Sequence, residues 1–273
     1  MSGRWLAVVR GAIGVSFAAA SIAMSAPAGA QTVPSVADIP TRPGVTQRVL
    51  VLAPPQAKAK AAVVLFAGGH GGLQLRPDGS FAWGAGNFLV RTRQRFVDQG
   101  LLVVLIDAPS DRQVEPFLSG FRQRPEHAAD VKAVIAWLRA RSSLPVWLVG
   151  TSRGTQSVAY VATELQGSDG PDGIVLTSSI LVDRKGRAVP AMPLERIRIP
   201  VLVVHHEHDS CPLCPFAETA SLMARLESSS RKELMPFDGG QSVGDPCEAF
   251  AHHGYNGIEP EVVRRIAEWI LAK

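Results

Sequence analysis

Residues 145–154 constrain the fold of this 273-residue chain more than any other stretch. They begin with the apolar run Val146-Trp147-Leu148-Val149, which has the length of a buried strand, and end in Gly150-Thr151-Ser152-Arg153-Gly154. A run compatible with a helix follows at 155–165. Because glycine has no Cβ, the two flanking glycines let a strand and a helix approach closely around a sharp turn. The pattern predicts a strand, a strained turn that exposes the Ser152 hydroxyl, and a helix.

The residue after Ser152 begins the predicted helix, where backbone N–H groups lack a partner within the helix. The N–H of Arg153 is therefore expected to face any anion that forms beside the serine hydroxyl. The alternative is a glycine-rich turn in which Ser152 only caps the helix. Since the motif stands between a strand-length run and a helix-length run, we interpret Ser152 as a nucleophile.

Strand-length apolar runs alternate with helix-compatible runs along the chain, which predicts an α/β fold with a mostly parallel sheet and helices on both faces. Beside the strand at 145–149, strands are predicted at 61–67, 101–106, 173–180, 200–206 and 232–236, with an edge strand at 47–53. Residues 181–199 are too few for a large lid domain. One domain over 45–273 accounts for the pattern, and the Pro-rich residues 31–44 are predicted to be a flexible lead-in.

The first thirty residues have the composition of a secretory signal peptide. Arg4 and Arg10 make a basic start, 11–24 is an apolar run rich in small residues, and Ala28-Gly29-Ala30 forms a cleavage signal before Gln31. The apolar run is too short for a membrane anchor, and nothing later in the sequence has the length of a membrane span. We therefore expect export to the periplasm, or to the outside of a bacterium.

Charge excludes one class of partner. Loss of Arg4 and Arg10 leaves 26 basic and 24 acidic residues, a formal net charge of only +2. No basic cluster with interleaved aromatic residues remains, so nucleic-acid binding is not expected. The chemistry predicted at Ser152 favours a small-molecule substrate instead.

A second hydrogen-bond donor is predicted at Gly68-Gly69-His70-Gly71-Gly72. This sequence follows the strand at 61–67, whose continuous apolar run is typical of a strand buried on both faces. Glycines let the backbone turn sharply and leave N–H groups that point into a cleft. We assign the second donor to the amide of His70 or Gly71, with a plain strand-to-loop turn as the alternative.

A serine hydroxyl needs an imidazole to accept its proton and a carboxylate to orient that imidazole. The strand at 200–206 runs into Glu207-His208-Asp209, where Asp209 is our choice of carboxylate and Glu207 the competitor. The last loop contains His252-His253-Gly254-Tyr255, where His253 is our choice of base and His252 the alternative. The resulting order along the chain is serine, acid and histidine.

These motifs together resemble the α/β-hydrolase superfamily. The resemblance rests on 150–154, 68–72, Asp209 and His253-Gly254-Tyr255, and covers nearly the whole chain after residue 30. It implies the α/β-hydrolase fold without a large lid, a catalytic triad of Ser152, Asp209 and His253, and hydrolysis of an ester or thioester without a cofactor. The segment 68–72 lacks the full His-Gly-Gly-Gly stretch of typical lipases, so long-chain triglycerides are not expected substrates.

The positions of the cysteines resemble those of a narrower group within this superfamily. Cys211 lies two residues after the chosen acid and Cys247 six before the chosen histidine, as in exported bacterial serine hydrolases of esterase or dienelactone hydrolase type. On that resemblance we predict a disulfide between Cys211 and Cys247 that ties the acid loop to the histidine loop. Cys211-Pro212-Leu213-Cys214 has the spacing of a redox motif, but no thioredoxin-like order of strand and helix surrounds it.

Other functions fit parts of the sequence. His205, His206, His208 and Asp209, with the nearby cysteines, have the composition of a metal site. Adjacent strand residues point to opposite faces, so His205 and His206 cannot bind one ion together, and no metal is expected. A non-catalytic binding relative and a peptidase of the same fold are the alternative functions. The complete triad counts against the first, and the lack of a peptide-recognition site counts against the second.

Overall fold

The computed structural model describes residues 1–3, 34–54, 59–184 and 186–272. All but the first three residues of the predicted signal peptide lie outside these ranges, so that assignment stays a prediction. None of the helices within the described ranges is long and apolar enough to cross a membrane.

Eight strands form one sheet in the order β1-β2-β4-β3-β5-β6-β7-β8. The strands are β1 (Ser35–Arg42), β2 (Val45–Leu52), β3 (Ala61–Phe66), β4 (Leu101–Pro109), β5 (Val146–Thr151), β6 (Gly173–Thr177), β7 (Val201–His206) and β8 (Lys232–Phe237). The pairs β1·β2 and β2·β4 are antiparallel, and the five other pairs are parallel. The predicted mostly parallel sheet is confirmed.

Within the part of the chain that the structure describes, six α-helices pack on the two faces of the sheet. They are α1 (Phe88–Arg91), α2 (Arg93–Asp98), α3 (Pro125–Arg139), α4 (Arg153–Glu164), α5 (Thr219–Arg225) and α6 (Glu259–Leu271). Helices α3, α4 and α5 share one apolar core with alternate residues of the central strands, and α1, α2 and α6 share the other. Val203 of β7 belongs to the first core and Val204 to the second, as expected for a strand buried on both sides.

The connection from β6 to β7 carries no large lid among its described residues. Its helical content there is two short 3₁₀ turns, Val189–Ala191 and Leu194–Arg196. The prediction of a fold without a large lid is confirmed.

The structure corrects the start of the domain. Residues 35–42, predicted to be a flexible lead-in, form β1, so β2 is not the edge strand that the sequence indicated. Ile39 is buried in the core, and Asp38 forms a 2.7 Å ion pair with Arg48 of β2. The prolines that made this segment read as irregular are compatible with an edge strand, because one side of such a strand needs no ladder hydrogen bonds.

The parallel strands bring the predicted site residues to one edge of the sheet. The turn 68–72 follows β3, Ser152 follows β5, Ser178 follows β6, and Asp209 follows β7. Because the carboxyl ends of parallel strands meet at the same edge, these turns converge although they are far apart in sequence.

Candidate active site

Ser152 lies on a strained turn between β5 and α4. Its backbone has φ 52° and ψ −126°, a conformation that residues with a Cβ rarely adopt. The turn is held by the amide of Ser152, which donates to the carbonyl of Thr177, and by the Thr155 amide and hydroxyl, which both donate to the Ser152 carbonyl. The serine side chain makes no capping hydrogen bond. The predicted strained turn is confirmed, and a capping role for Ser152 is wrong.

The two glycines of the motif are required by the close approach of backbones. A Cβ at Gly150 would lie 2.5 Å from the carbonyl oxygen of Gly154. A Cβ at Gly154 would lie 2.2 Å from the carbonyl oxygen of Phe66, at the end of β3. Both distances are far below any van der Waals contact, so this strand, turn and helix fit together only with glycine at both positions.

Asp209 and His253 form a buried pair. Nδ1 of His253 lies 2.8 Å from Oδ2 of Asp209, and the amide of Cys211 donates to Oδ1 at 3.0 Å. The carboxylate accepts a hydrogen bond from the Nδ1–H, and in this tautomer of the ring Nε2 is the acceptor. Nε2 is itself buried and has no hydrogen-bond partner among the described residues. The imidazole is thus oriented at one nitrogen and free to accept a proton at the other.

The competing residues lie elsewhere. Glu207 is exposed, and its amide donates to the carbonyl of Phe237 on the neighbouring strand. Nδ1 of His252 lies 3.3 Å from the carbonyl oxygen of His208, and its ring stacks on that of His206 at 4.3 Å between centroids. Among the two candidate acids and the two candidate histidines, the structure brings together Asp209 and His253.

The backbone of His253 is held by a network that begins at the end of β6. The Ser178 hydroxyl donates to the His253 carbonyl at 2.7 Å. The Tyr255 hydroxyl accepts from the Ser178 amide at 3.1 Å and donates to the Val204 carbonyl at 2.9 Å. Burial raises the pKa of the Tyr255 hydroxyl, so it remains a donor at any ordinary pH. The network fixes the histidine loop against β6 and β7.

The structure contains the disulfide between Cys211 and Cys247 that the resemblance implied. It ties the turn after Asp209 to the loop before His253. Cys214 is a free, buried cysteine, and burial raises the pKa of its thiol well above its usual range. The disulfide therefore uses only one cysteine of the C-x-x-C sequence.

The potential metal ligands that come together among the described residues are Cys211, Cys214 and His253, whose ligand atoms lie within 4.8 Å of one another. The sulfur of Cys211 is bonded in the disulfide, and metal binding by cysteine requires a thiolate. The ring of His205 packs toward Phe216 in the opposite direction from His206. His205 therefore does not join His206 and His208, whose ring centroids lie 5.9 Å apart.

The glycine-rich turn after β3 is in contact with Ser152 through its first residues. A Cβ at Gly68 would lie 2.9 Å from Cβ of Ser152, and Gly68 and Gly69 line a cavity with the serine. His70 and Gly71, the residues predicted to supply the second donor, are not among the residues that line this cavity. Any contribution from His70 must come from its backbone.

The side chain of His70 is held away from the cavity. Its ring stacks between Trp83 and Phe117, with centroids 3.8 and 4.4 Å away, and Nδ1 accepts from the Gly72 amide. Burial lowers the pKa of the ring, which favours its neutral form. This side chain stabilises the turn and takes no part in proton transfer at Ser152.

Ser152 and His253 line the same cavity of about 860 Å³. Its wall is largely apolar and aromatic, with the side chains of Trp83, Phe88, Leu213, Val243 and Phe250. A volume of this order accommodates a drug-sized small molecule. Phe250 is 53% exposed at this site, and the guanidinium of Arg91 lies 5.4 Å from its ring.

Asn87 is a cavity residue that the sequence did not reveal. It stands before α1 as a helix cap would, but it makes no capping hydrogen bond. Its Oδ1 is buried and has no partner among the described residues, while its Nδ2 lies near Gly68. An asparagine before a helix has an ordinary structural role, so only the structure could place it beside Ser152.

No protein-family model and no curated protein matches the chain. Solved structures do match. An alpha-beta serine hydrolase homologue from Coxiella burnetii is 17% identical with a TM-score of 0.59, covering 87% of this chain and 97% of that one. The shared architecture extends over nearly the whole domain. The chain has the α/β-hydrolase fold.

Two further structures share this α/β-hydrolase architecture. A serine hydrolase without a lid from Xanthomonas campestris is 17% identical with a TM-score of 0.57, covering 89% of this chain and 97% of that one. A dienelactone hydrolase from Anabaena variabilis is 18% identical with a TM-score of 0.56, covering 88% and 98%. Likeness at this level of identity establishes the fold, and function has to be argued from the site.

Proposed function

We propose that the protein is a serine hydrolase that cleaves a carboxylic ester or thioester of a small molecule. The observation that carries the proposal is that Ser152 and His253 line one cavity while Asp209 orients the His253 ring. Ser152 lies half-buried on a strained turn, and the remaining nitrogen of the His253 ring is buried without a partner among the described residues. Esterases and serine hydrolases among the structural neighbours support the same class of reaction.

The geometry supports acyl transfer in two stages. Ser152 Oγ bonds to the substrate carbonyl carbon while its proton passes to Nε2 of His253, and Asp209 stabilises the imidazolium. The tetrahedral anion then expels the alcohol or thiol, which leaves with the proton from Nε2. A water molecule hydrolyses the acyl-enzyme by the same steps, with His253 again as base, and this chemistry uses no cofactor.

The oxyanion is stabilised in this proposal by backbone donors. One is the amide of Arg153, the first residue of α4, where the helix dipole also favours negative charge. The side chain of Arg153 is occupied by a 3.0 Å ion pair with Asp183, which leaves the backbone as its contribution to the site. The second donor comes from the turn after β3.

We also propose export as the setting of this reaction. The signal-peptide composition of residues 1–30 supports it, and the disulfide fits an oxidising compartment. Small, partly apolar esters that reach the periplasm or the outside of the cell are then the expected substrates.

The test is hydrolysis of p-nitrophenyl esters of increasing acyl length by the wild type, Ser152→Ala, His253→Ala and Asp209→Asn. Turnover should fall about 10⁴-fold or more for Ser152→Ala and His253→Ala, because the nucleophile and its base act as a unit. The acyl length with the highest kcat/KM measures the usable depth of the cavity. A fluorophosphonate should label Ser152 of the wild type covalently.

The chain offers matched controls at adjacent positions. His252→Ala and Glu207→Gln remove the neighbouring histidine and acid, and both variants should keep turnover within about threefold of the wild type. Full activity of Ser152→Ala would overturn the proposal. A folded wild type that neither turns over esters nor reacts with the fluorophosphonate would favour a non-catalytic binding protein.

A further inference from the structure

Arg122 is a buried cation that does not belong to the proposed catalytic triad. It lies between β4 and α3 and is only 4% exposed. No ion pair or hydrogen bond joins its guanidinium to a carboxylate within the described residues. Burying a charge without a counter-charge is costly, so its hydrogen-bond partners must account for its presence.

Those partners are concentrated at the turn after β3. Nη2 of Arg122 donates to the carbonyls of Ala67 at 3.0 Å and Gly69 at 3.2 Å, and lies 3.5 Å from that of Gly68. Nη1 donates to the hydroxyl of Ser157 on α4 at 2.9 Å. The guanidinium thus joins the turn to the helix that begins directly after Ser152.

The shape of the turn is matched to this side chain. A Cβ at Gly71 would lie 2.3 Å from Nη2 of Arg122, so only glycine fits beside the guanidinium. At its other end, the turn contacts Ser152 through Gly68. Arg122 and the serine therefore meet the same short stretch of backbone.

The geometry of the peptide group relates these carbonyl contacts to the direction of the backbone N–H donors of the turn. In a trans peptide the C=O and N–H groups point in opposite directions. A Gly69 carbonyl held by Arg122 therefore directs the N–H of His70 away from the guanidinium. The same reasoning directs the N–H of Gly68 away from a guanidinium bonded to the Ala67 carbonyl.

The guanidinium also carries its charge at neutral pH. Burial, with a smaller contribution from the nearby Arg153 cation, lowers the pKa of Arg122 to about 9. A cation bonded to a carbonyl polarises that peptide group and strengthens its N–H as a donor in a low-dielectric interior.

We propose that Arg122 is a positioning residue for ester hydrolysis, whose guanidinium holds the carbonyls of the turn so that the backbone N–H groups of the turn donate to the oxyanion at Ser152. The inference rests on the proposed function and deepens it, because it names the side chain that positions the second oxyanion donor. Arg122 acts through the backbone and does not itself contact the substrate.

The test compares Arg122→Met and Arg122→Lys with the wild type, using kcat and KM for p-nitrophenyl acetate, the inhibition constant of an alkylboronic acid, and the melting temperature. The boronate forms a tetrahedral adduct on the serine and therefore reports the oxyanion donors. Arg122→Met should lower kcat about 100-fold with little change in KM, and boronate affinity should fall in parallel. Arg122→Lys, which keeps the charge but not the planar fork, should lie between the two.

Arg231 provides a matched control. Its guanidinium also donates to backbone carbonyls, those of Trp269 and Ala272, and its Nε also has no partner among the described residues. It does not line the Ser152 cavity. Arg231→Met should therefore lower the melting temperature while kcat and boronate affinity stay within about twofold of the wild type.

A folded Arg122→Met variant with wild-type kcat and boronate affinity would overturn the inference, as would a rise in KM alone. If Arg122→Met does not fold, the same criteria apply to Arg122→Lys. Loss of turnover in Ser152→Ala together with full turnover in the Arg122 variants refutes only the role of Arg122. Full turnover in Ser152→Ala refutes the proposed function itself.

Discussion

The nucleophile side and the histidine side of the site are built in different ways. The nucleophile side consists of the turns after β3 and β5, and backbone contact at Gly150 and Gly154 fixes its shape. The histidine side consists of the turn after β7 and the long loop between β8 and α6. Side-chain hydrogen bonds and one disulfide hold that loop in place.

The difference separates two kinds of positioning. Strand ends are fixed by the ladder of the whole sheet, so the turn at Ser152 can be altered only by disturbing the core, whereas the turn after β3 is also held by the side chain of Arg122. The histidine side depends on a few specific links between distant segments, so each link can be removed while the sheet remains. Substitutions at the backbone contacts should therefore act mainly on folding, whereas loss of a link on the histidine side should lower both stability and turnover.

The largest effect is expected from the disulfide on the histidine side. Replacing both Cys211 and Cys247 by Ser opens a link with a sequence separation of 36. The free energy of unfolding should fall by about 3–4 kcal/mol, since loop closure no longer restricts the unfolded chain. Urea unfolding followed by circular dichroism measures it, and ester turnover should fall as well. Cys214→Ala is the control and should cost about 1 kcal/mol; equal losses in both would contradict the prediction.

On the nucleophile side, Gly154→Ala should destabilise the protein by about 3 kcal/mol, at the upper end of single substitutions. The added Cβ would meet the Phe66 carbonyl oxygen at 2.2 Å, so β3 and α4 must separate. Gly167→Ala is the control, because its φ is +58° but nothing lies within 4 Å of the added Cβ. Only the strain of a left-handed residue, about 1 kcal/mol, applies there. Similar unfolding midpoints for the two variants would show that the close approach of β3 and α4 at Gly154 does not determine the stability of the protein.

Tyr255→Phe removes one hydroxyl from the histidine side. The Ser178 amide and the Val204 carbonyl lose this hydroxyl but keep the 3.0 Å hydrogen bond to each other, so we expect a loss of about 1 kcal/mol in unfolding free energy. Turnover should fall too, because Ser178 also holds the His253 carbonyl. The only other tyrosine is Tyr160, and Tyr160→Phe should change stability by less than about 0.5 kcal/mol. A Tyr255→Phe variant that is as stable as the wild type would show that this network does not stabilise the protein.

The last effect concerns pH and arises from two buried neutral histidines, His127 on α3 and His205 on β7. Burial lowers the pKa of His127 to about 3 and that of His205 to about 4. The unfolded chain takes up protons below about pH 6.5, where the folded chain does not, so stability is full above that pH and falls as the pH is lowered. Each histidine contributes a slope of at most about 1.4 kcal/mol per pH unit between pH 6 and 4.5.

His127→Leu should remove one of these slopes and leave the other. Urea unfolding at several pH values from 4.5 to 7.5 measures the slope for wild type and variant. Above pH 7 the two proteins should show parallel, flat profiles, which serves as the internal control. An unchanged slope in the variant would mean that His127 is protonated in the folded protein.

Much of the fold follows from local patterns in the sequence. The apolar runs predicted the central strands, because a strand buried on both faces must be apolar throughout. The glycine spacing around Ser152 predicted the strained turn. The edge strand β1 was missed, because half-exposed residues with one proline inside the strand and one directly before and after it carry no comparable pattern.

Only some of the site residues could be predicted from the sequence. Asp209 and His253 were predicted to act together from their places after β7 and before α6, and the structure brings them within hydrogen-bond distance. Asn87 and Arg122 carried no signal, because one looks like a helix cap and the other like a surface arginine in a loop. Their roles arise from neighbours that lie far away in the sequence.

The sequence by itself determined the strands, the strained turn and the order of serine, acid and histidine, since each depends on residues close together in the chain. Only the tertiary structure decided that Gly68 of the turn after β3 lies against Ser152, and that Arg122 donates to the carbonyls of that turn. It also decided that β1 covers β2. The physical reason is the same in each case: the energies that fix these features belong to contacts between segments that only folding brings together.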